Sequence, residues 1–368
     1  MKVLKKILFF ALICCLICVF FACNIKDDNI QDNSDDKYTE GLEYTLSDDE
    51  TYYIVSGIGT CKDTPDIVIP STYNGKPVAS IGAEAFSYCS RLTSVTVPDG
   101  VTSIGIGAFS YCSSLTSVAI PDSVTSIGIG AFSNSRCLTS VTIPDGVTSI
   151  GDETFSQCSR LTSVTISDSV TSIGSDAFEQ TGYYNNDSNW ENGVLYIGKY
   201  LIKAKDISGS YSIRSGTRMI TPSAFSYCYS LTSVTIPDSV TSIGDRAFSY
   251  CSSLSSVTIP DSVTSIGNEA FYSCSNLTSV TIPDSVASIG SLAFFGCTNL
   301  TSVTIGNGVA SIGDMAFYSC SSLKSVTFKD TENWKADSLW ISSGDLADPS
   351  TAAMYLRFDY SYYTWKKG

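Results

Sequence analysis

Two residue types that could do chemistry recur at one interval. Cys89, Cys112, Cys158, Cys228, Cys251, Cys274, Cys297 and Cys320 each stand three places after a phenylalanine, and Cys137 is displaced from that position. Stacked in register, such cysteines form a column about 5 Å apart. That spacing permits disulfides, and export would allow their oxidation. Parallel side chains in register point the same way, however, and their spacing turns them inward. The column therefore reads first as small apolar thiols filling a core, ahead of disulfides and of a metal site. Asp99, Asp122, Asp145, Asp168, Asp238, Asp261 and Asp284 form a second column. Stacked carboxylates suit Ca²⁺ or a retaining glycosidase pair. Yet every rung carries the same acid, with no asymmetry to split their pKa values, so turn stabilisation is the plainer account. The chain has no histidine, which removes Ser-His and Cys-His pairs and the commonest zinc ligand. The expectation is no enzyme, no catalytic residue, no metal and no cofactor.

A third column is uncharged. Ser94, Ser117, Ser140, Ser163, Ser233, Ser256, Ser279, Ser302 and Ser325 are followed two residues later by Thr, except at Ala119. This resembles the Thr arrays of ice-binding solenoids, but the curvature expected of the fold argues against ice. A solvated strand face suits β-branched Thr. Asp-Ser-Val at 122–124, 168–170, 238–240, 261–263 and 284–286 resembles the O-glycan acceptor motif of exported Bacteroidetes proteins. A favoured turn triplet is the stronger account of it.

The elements that position these columns follow from the repeat. Phe86, Phe109, Phe132, Phe155 and Phe178 are 23 residues apart, as are Phe225, Phe248, Phe271, Phe294 and Phe317. Within one unit, Val280 and Ile282 alternate with Ser279 and Thr281, the period of a strand. Pro283 and Asp284 turn the chain. Val286 and Ile289 make a second short extended piece, which Gly290 breaks. Ala293, Phe294, Cys297 and Leu300 follow at helical spacing. One coil cannot bury its apolar face alone, but stacked coils can. The predicted fold is a β-solenoid of strand, turn and short-helix coils, a rod on the order of 50 Å long.

The run Leu231 to Phe248 closely resembles the BspA-like leucine-rich repeats of bacterial surface proteins. The resemblance covers roughly residues 65 to 328. The segment from Gly41, with Tyr52-Tyr53-Ile54-Val55, is similar to the β-hairpin cap that opens such arrays. The resemblance implies adhesion to host matrix proteins, other bacteria or epithelial cells.

The remaining segments divide as follows. Residues 1–22 read as a lipoprotein signal peptide: Lys2, Lys5 and Lys6, then an uncharged run too short for a typical membrane span. Phe20-Phe21-Ala22-Cys23 resembles a relaxed lipobox, which implies lipidation at Cys23. Lys26-Asp27-Asp28 resembles the surface-export signal of Bacteroidetes lipoproteins. Residues 23–40 read as a flexible acidic linker, 41–66 as an N-terminal β cap, 67–328 as the solenoid and 329–368 as an irregular, aromatic C-terminal cap. The array departs from its period once, between Phe178 and Phe225. There, 179–207 reads as an insert with a hairpin turning at Gly198-Lys199, crowded by Tyr183, Tyr184, Trp190, Tyr196 and Tyr200. Residues 208–225 read as a degenerate rung.

Function is expected to lie in binding. The net charge of −14 speaks against nucleic acid. The leading reading is an outer-membrane, cell-exposed lipoprotein that touches the membrane only through its anchor. Its partners would be host or bacterial surface proteins or glycans, met on the strand face and the insert. Insertions in solenoids often fall on the binding face, so Trp190 and Tyr184, then Tyr183, Tyr196 and Tyr200, are the candidate ligand-binding residues. A cover over the irregular rung is the competing account of the same aromatics. The alternatives are a structural stalk with no specific ligand and a carbohydrate-capture lipoprotein using Trp190 beside Asn185, Asn186, Asp187 and Asn192.

Overall fold

The computed structural model describes residues 38–205 and 207–368. The expected signal peptide, Cys23 and all but the last residues of the linker lie outside them. The described chain is a β-solenoid of about 12 turns at roughly 23-residue spacing.

Each rung has three sides. The long strand, for example Ser279–Ile282, pairs in parallel and in register with the next, Val280 opposite Val303. Its alternation puts Val280 and Ile282 in the core and leaves Ser279 and Thr281 exposed. The short strand Ser288–Ile289 pairs with Ser311–Ile312. The third side is built of consecutive turns rather than the short helix that the apolar spacing suggested. Two residues per rung, such as Glu269 at φ 55° and Ser273 at φ 55°, take the left-handed conformation, which an α-helix does not admit. Backbone N–H groups then bond across rungs instead of along a helix: Phe271 N to Ala293 O at 2.7 Å, Phe294 N to Ala316 O at 2.8 Å. The inward set is the same under either geometry. Ala293, Phe294, Cys297 and Leu300 are all fully buried.

The Phe column is the spine. Phe225 to Phe317 stack with ring centroids 5.0–5.2 Å apart. Phe86 to Phe178 do the same at 5.1–5.5 Å. The glycine after each short strand marks where rungs come closest. A Cβ on Gly290 would stand 2.5 Å from Asn268 N and from the Gly267 carbonyl carbon, so no side chain fits.

Both ends are closed. Glu43–Leu46 and Tyr53–Gly57 form an antiparallel hairpin, and the second strand runs parallel to Lys76–Ile81. At the other end, two short helices, Ser343–Ala347 and Pro349–Met354, carry Leu346, Ala352 and Ala353 onto the core. Trp365–Lys367 pairs antiparallel with Ser311–Ile312 and with Trp334–Ala336, burying Trp334 and Trp365.

In the insert, Val194–Ile197 and Tyr200–Ala204 form an antiparallel hairpin, and the second strand pairs with Met219–Ile220. The degenerate rung keeps its register: Tyr211 lies opposite Val234.

Candidate functional site

The columns that looked chemical are occupied by the fold. The column thiols among the described residues are buried. Those of Cys112, Cys158, Cys251, Cys274, Cys297 and Cys320 each donate to the carbonyl of the Phe on the preceding rung, at 3.0–3.2 Å. Ser135 fills the place that Cys137 vacates and makes the same bond to Phe109 O at 2.8 Å. Burial pushes Cys112 and Cys158 up to about 12.

The Asp column is exposed at the turns, and no three His, Cys, Asp or Glu converge among the described residues. Asp284 pairs with Lys329 at 2.9 Å, which with the Asn307 N–H holds its carboxyl below the usual range. The Asp-Ser-Val hydroxyls are engaged one rung back: Ser123 with Val101 O at 2.8 Å, Ser262 with Val240 O at 2.6 Å, Ser285 with Val263 O at 2.7 Å.

The insert aromatics sit in or against the core. Tyr200 is fully buried, and its hydroxyl donates to Ser167 O at 2.7 Å and Val170 O at 3.0 Å. Tyr196 is buried with its hydroxyl 3.2 Å from that of Tyr211. Tyr183, Tyr184 and Trp190 are half-buried and pack on the N-terminal core. The Trp190 indole donates to Tyr184 O at 2.8 Å, the two rings meet edge to face at 5.2 Å, and Lys205 Nζ lies 3.8 Å over the indole.

What stands exposed lies elsewhere. On the turn side, one or two residues after the core Phe, aromatic rings stack from rung to rung, exposed at Tyr227, Tyr250 and Tyr362 and half-buried at Tyr272, Phe295 and Tyr318. Tyr227 meets Tyr250 at 5.1 Å, Tyr250 meets Tyr272 at 5.3 Å, and Tyr272 meets Phe295 at 4.8 Å. The ladder continues from Phe295 to Tyr318 at 5.7 Å and from Tyr318 to Tyr362 of the cap at 5.1 Å. Tyr227 is 58 % exposed, Tyr229 beside it 55 % and Tyr362 57 %. The cap segment adds exposed Met354, Phe358 and Tyr363, with Arg357 packed over Phe358. Beside the ladder, Arg246 grips Glu269 with two bonds of 2.9 and 2.7 Å. A hydrogen bond that the Tyr362 hydroxyl donates to Tyr318 holds it above its ordinary pKa. Attention to the insert passed over this strip. Its signal is the tripeptide after each Ala-Phe pair, Ser-Tyr-Cys at 226–228 and 249–251, then Tyr-Ser-Cys at 272–274 and 318–320.

The BspA-type leucine-rich repeat region matches residues 79–207 and 218–339, in six copies. A leucine-rich cell surface protein from Faecalibacterium prausnitzii A2-165 is 28 % identical, with 82 % of this chain and 97 % of that one covered at a TM-score of 0.40. A leucine-rich repeat protein from Eubacterium ventriosum is 27 % identical, with 79 % and 83 % covered at 0.39. The pneumococcal vaccine antigen PcpA is 21 % identical, with 80 % and 87 % covered at 0.35. No curated protein matches.

Proposed function

The chain belongs to the BspA-type leucine-rich repeat family, and we propose that it is a cell-surface binding protein whose contact surface is the aromatic strip from Tyr227 to the C-terminal cap. The observation that carries this reading is the strip itself. Soluble proteins seldom leave a contiguous run of large apolar side chains in water unless it meets a partner. Tyr, Phe, Met and Arg are the side chains enriched where partners bind. The rings stack on one another, so little conformational freedom remains to be lost on binding.

Surface display follows from the sequence: the Phe20-Phe21-Ala22-Cys23 and Lys26-Asp27-Asp28 motifs support a lipid on Cys23 and export to the outer face of the outer membrane. Protease shaving of intact cells would then release the body. Partners are surface proteins or glycans of host or bacterial cells. Trp190 and Tyr184 serve in this reading as cover for the end of the N-terminal core. The sugar-capture alternative needs an open Trp190 face, and Lys205 lies over it.

The test is capture of host matrix proteins and glycans by residues 24–368, with Tyr227→Ala plus Tyr250→Ala set against Trp190→Ala plus Tyr184→Ala. The strip variant is expected to lose at least about tenfold in affinity, roughly 1.4 kcal/mol, with its melting temperature little changed. Loss of binding in the insert variant alone, with the fold intact, would move the site to the insert.

A further inference from the structure

The solenoid has two apolar cores, and one hairpin divides them. Outside the hairpin, the first core runs from Leu42 to Phe178 and takes in Met219, and the second runs from Ile207 to Trp365 without Met219. Residues of the hairpin alternate between them, as the two faces of a strand must. Leu195, Ile197, Tyr200 and Ile202 belong to the first core, whereas Val194, Tyr196, Leu201 and Ala204 belong to the second. Both hairpin strands are accordingly buried along nearly their whole length.

The rung-to-rung bonding stops at the same place on all three sides. The short-strand sheet ends at Ser172–Ile173, and the next one begins within the insert. The long strand Ser163–Ile166 pairs backward only, with Ser140–Ile143. The Phe stack halts at Phe178 and resumes at Phe225. Among the described residues, no backbone-to-backbone hydrogen bond joins 38–178 to 190–368. Side chains make the crossing: Tyr200 to Ser167 O and Val170 O, Lys199 to Asp168, Arg218 to Asp168 O, Lys203 to Asp176 and Tyr183 to Tyr196 O. A cleft of about 360 Å³ lies over the seam, lined by Ile173 and Gly174 on one side and Met219 and Pro222 on the other.

We infer that the hairpin is a double-sided cap: it closes the end of one solenoid and the start of another, and makes two separately cooperative units. A repeat array is stable as the sum of its rungs and their interfaces, and its cooperativity breaks where an interface is weak. Here all three backbone ladders are absent together, whereas the long-strand sheet alone is interrupted between Ser117–Ala119 and Ser140–Ile143 and between Ser256–Thr258 and Ser279–Ile282. The unit carrying the aromatic strip then keeps its fold while the other opens.

The test is native-state hydrogen exchange on the full chain, read segment by segment. Phe109→Ala should lower protection at least about tenfold across 79–173 and leave 225–328 within about threefold, and Phe294→Ala should do the reverse. Two hairpin variants make the test specific. Leu195→Ala should weaken only the first unit and Leu201→Ala only the second, although both sit on one hairpin. Equal loss of protection throughout in any of the four, or loss in the unit opposite to the one assigned, overturns the inference.

Discussion

The two halves of the solenoid build their separate interiors alike and wear different surfaces. In the first, the residue two places after the core Phe reads Tyr88, Tyr111, Asn134, Gln157, Gln180. Tyr88 and Tyr111 stack at 4.7 Å, and then amides take over, with Gln157 donating to Gln180 at 2.7 Å. In the second half the neighbouring columns carry rings from Tyr227 to Tyr318 and pass them on to the cap. The buried Phe residues do not vary at all: ten rungs, ten rings, at the same stacking distance to within 0.5 Å. Inward positions are dictated by the rung above and the rung below, since interiors are close-packed. Outward positions answer to nothing inside the molecule. Where an outward column departs from water-loving residues over several rungs, the reason proposed above is a partner outside the chain.

The most damaging way to probe this contrast is to exchange the sites. Phe248 is fully buried between Phe225 at 5.0 Å and Phe271 at 5.2 Å. Phe248→Ala should cost about 3–5 kcal/mol by leaving a cavity. Thr258→Ala on the exposed strand face should cost under about 1 kcal/mol. Denaturant melts of both variants check this, and comparable losses would erase the distinction between inside and outside. Gly290→Ala comes next. Its Cβ has only backbone to push against, so about 1–3 kcal/mol of overpacking strain is expected, whereas Gly100→Ala meets open space within 4 Å and pays only for its φ of 103°.

Much of this was legible in the sequence, and the exceptions have causes. The period of 23, the strand alternation at Val280 and Ile282, the break at Gly290 and the inward Cys297 all follow from apolar spacing, because burial is what the spacing encodes. The turn backbone did not follow, since helical spacing and a left-handed turn ladder can bury the same four side chains. The insert was recognised as a hairpin with many aromatics, but not as a wall. A hairpin buried on both faces and one lying exposed share the same composition, and Tyr200 revealed its role only through the carbonyls that its hydroxyl reaches. The strip was missed for the opposite reason. Tyr250 and Tyr272 belong to different repeat positions, and only the fold brings them to 5.3 Å.

The cysteine column gives a milder test. Cys274 donates to Phe248 O at 3.1 Å, and Ser135 shows that a hydroxyl does the same work. Cys274→Ser should therefore cost about 1 kcal/mol, and Cys274→Ala more, because it also leaves that carbonyl with the Cys251 N–H, at 3.2 Å, in place of two donors. The reverse order would mean the bond contributes nothing. Burial raises the thiols of Cys112, Cys158, Cys251, Cys274 and Cys297 above their ordinary pKa of about 8.5. The unfolded chain then loses its thiol protons first as pH climbs. The stability contributed is complete below about 8.5 and declines as pH rises toward the folded values, about 12 for Cys112 and Cys158. Melting temperature measured from pH 7 to 10 should fall through the upper part of that range, and a flat profile would sink the assignment. In the folded state at pH 8, a thiol reagent should find the half-buried Cys137 first.

The smallest expected effect bears most directly on the comparison between halves. Asn134 and Gln157 hold φ values of 61° and 64°, the same left-handed conformation that Tyr88, Tyr111, Tyr227 and Tyr250 adopt at 58–65°. The backbone is therefore already shaped to carry an aromatic ring there. Tyr111 would supply the neighbour on which the first new ring stacks, and Asn134→Tyr together with Gln157→Tyr would extend the ladder across the first half. Each change should shift stability by no more than about 0.5 kcal/mol, the ordinary range for exposed sites. A gain well above 1 kcal/mol would show that stacked surface rings hold the rungs together, which would make the second half's strip part of its architecture rather than a contact surface. A loss of that size would show that the outward column is constrained from within after all. With stability unchanged, capture of the partner becomes the deciding measurement. Binding that stays at the wild-type level places recognition in the particular rings from Tyr227 to the cap, with their Arg246 and Arg357 neighbours. Binding that rises with each added ring makes the bare ladder the recognised feature, repeated wherever the turn side carries it.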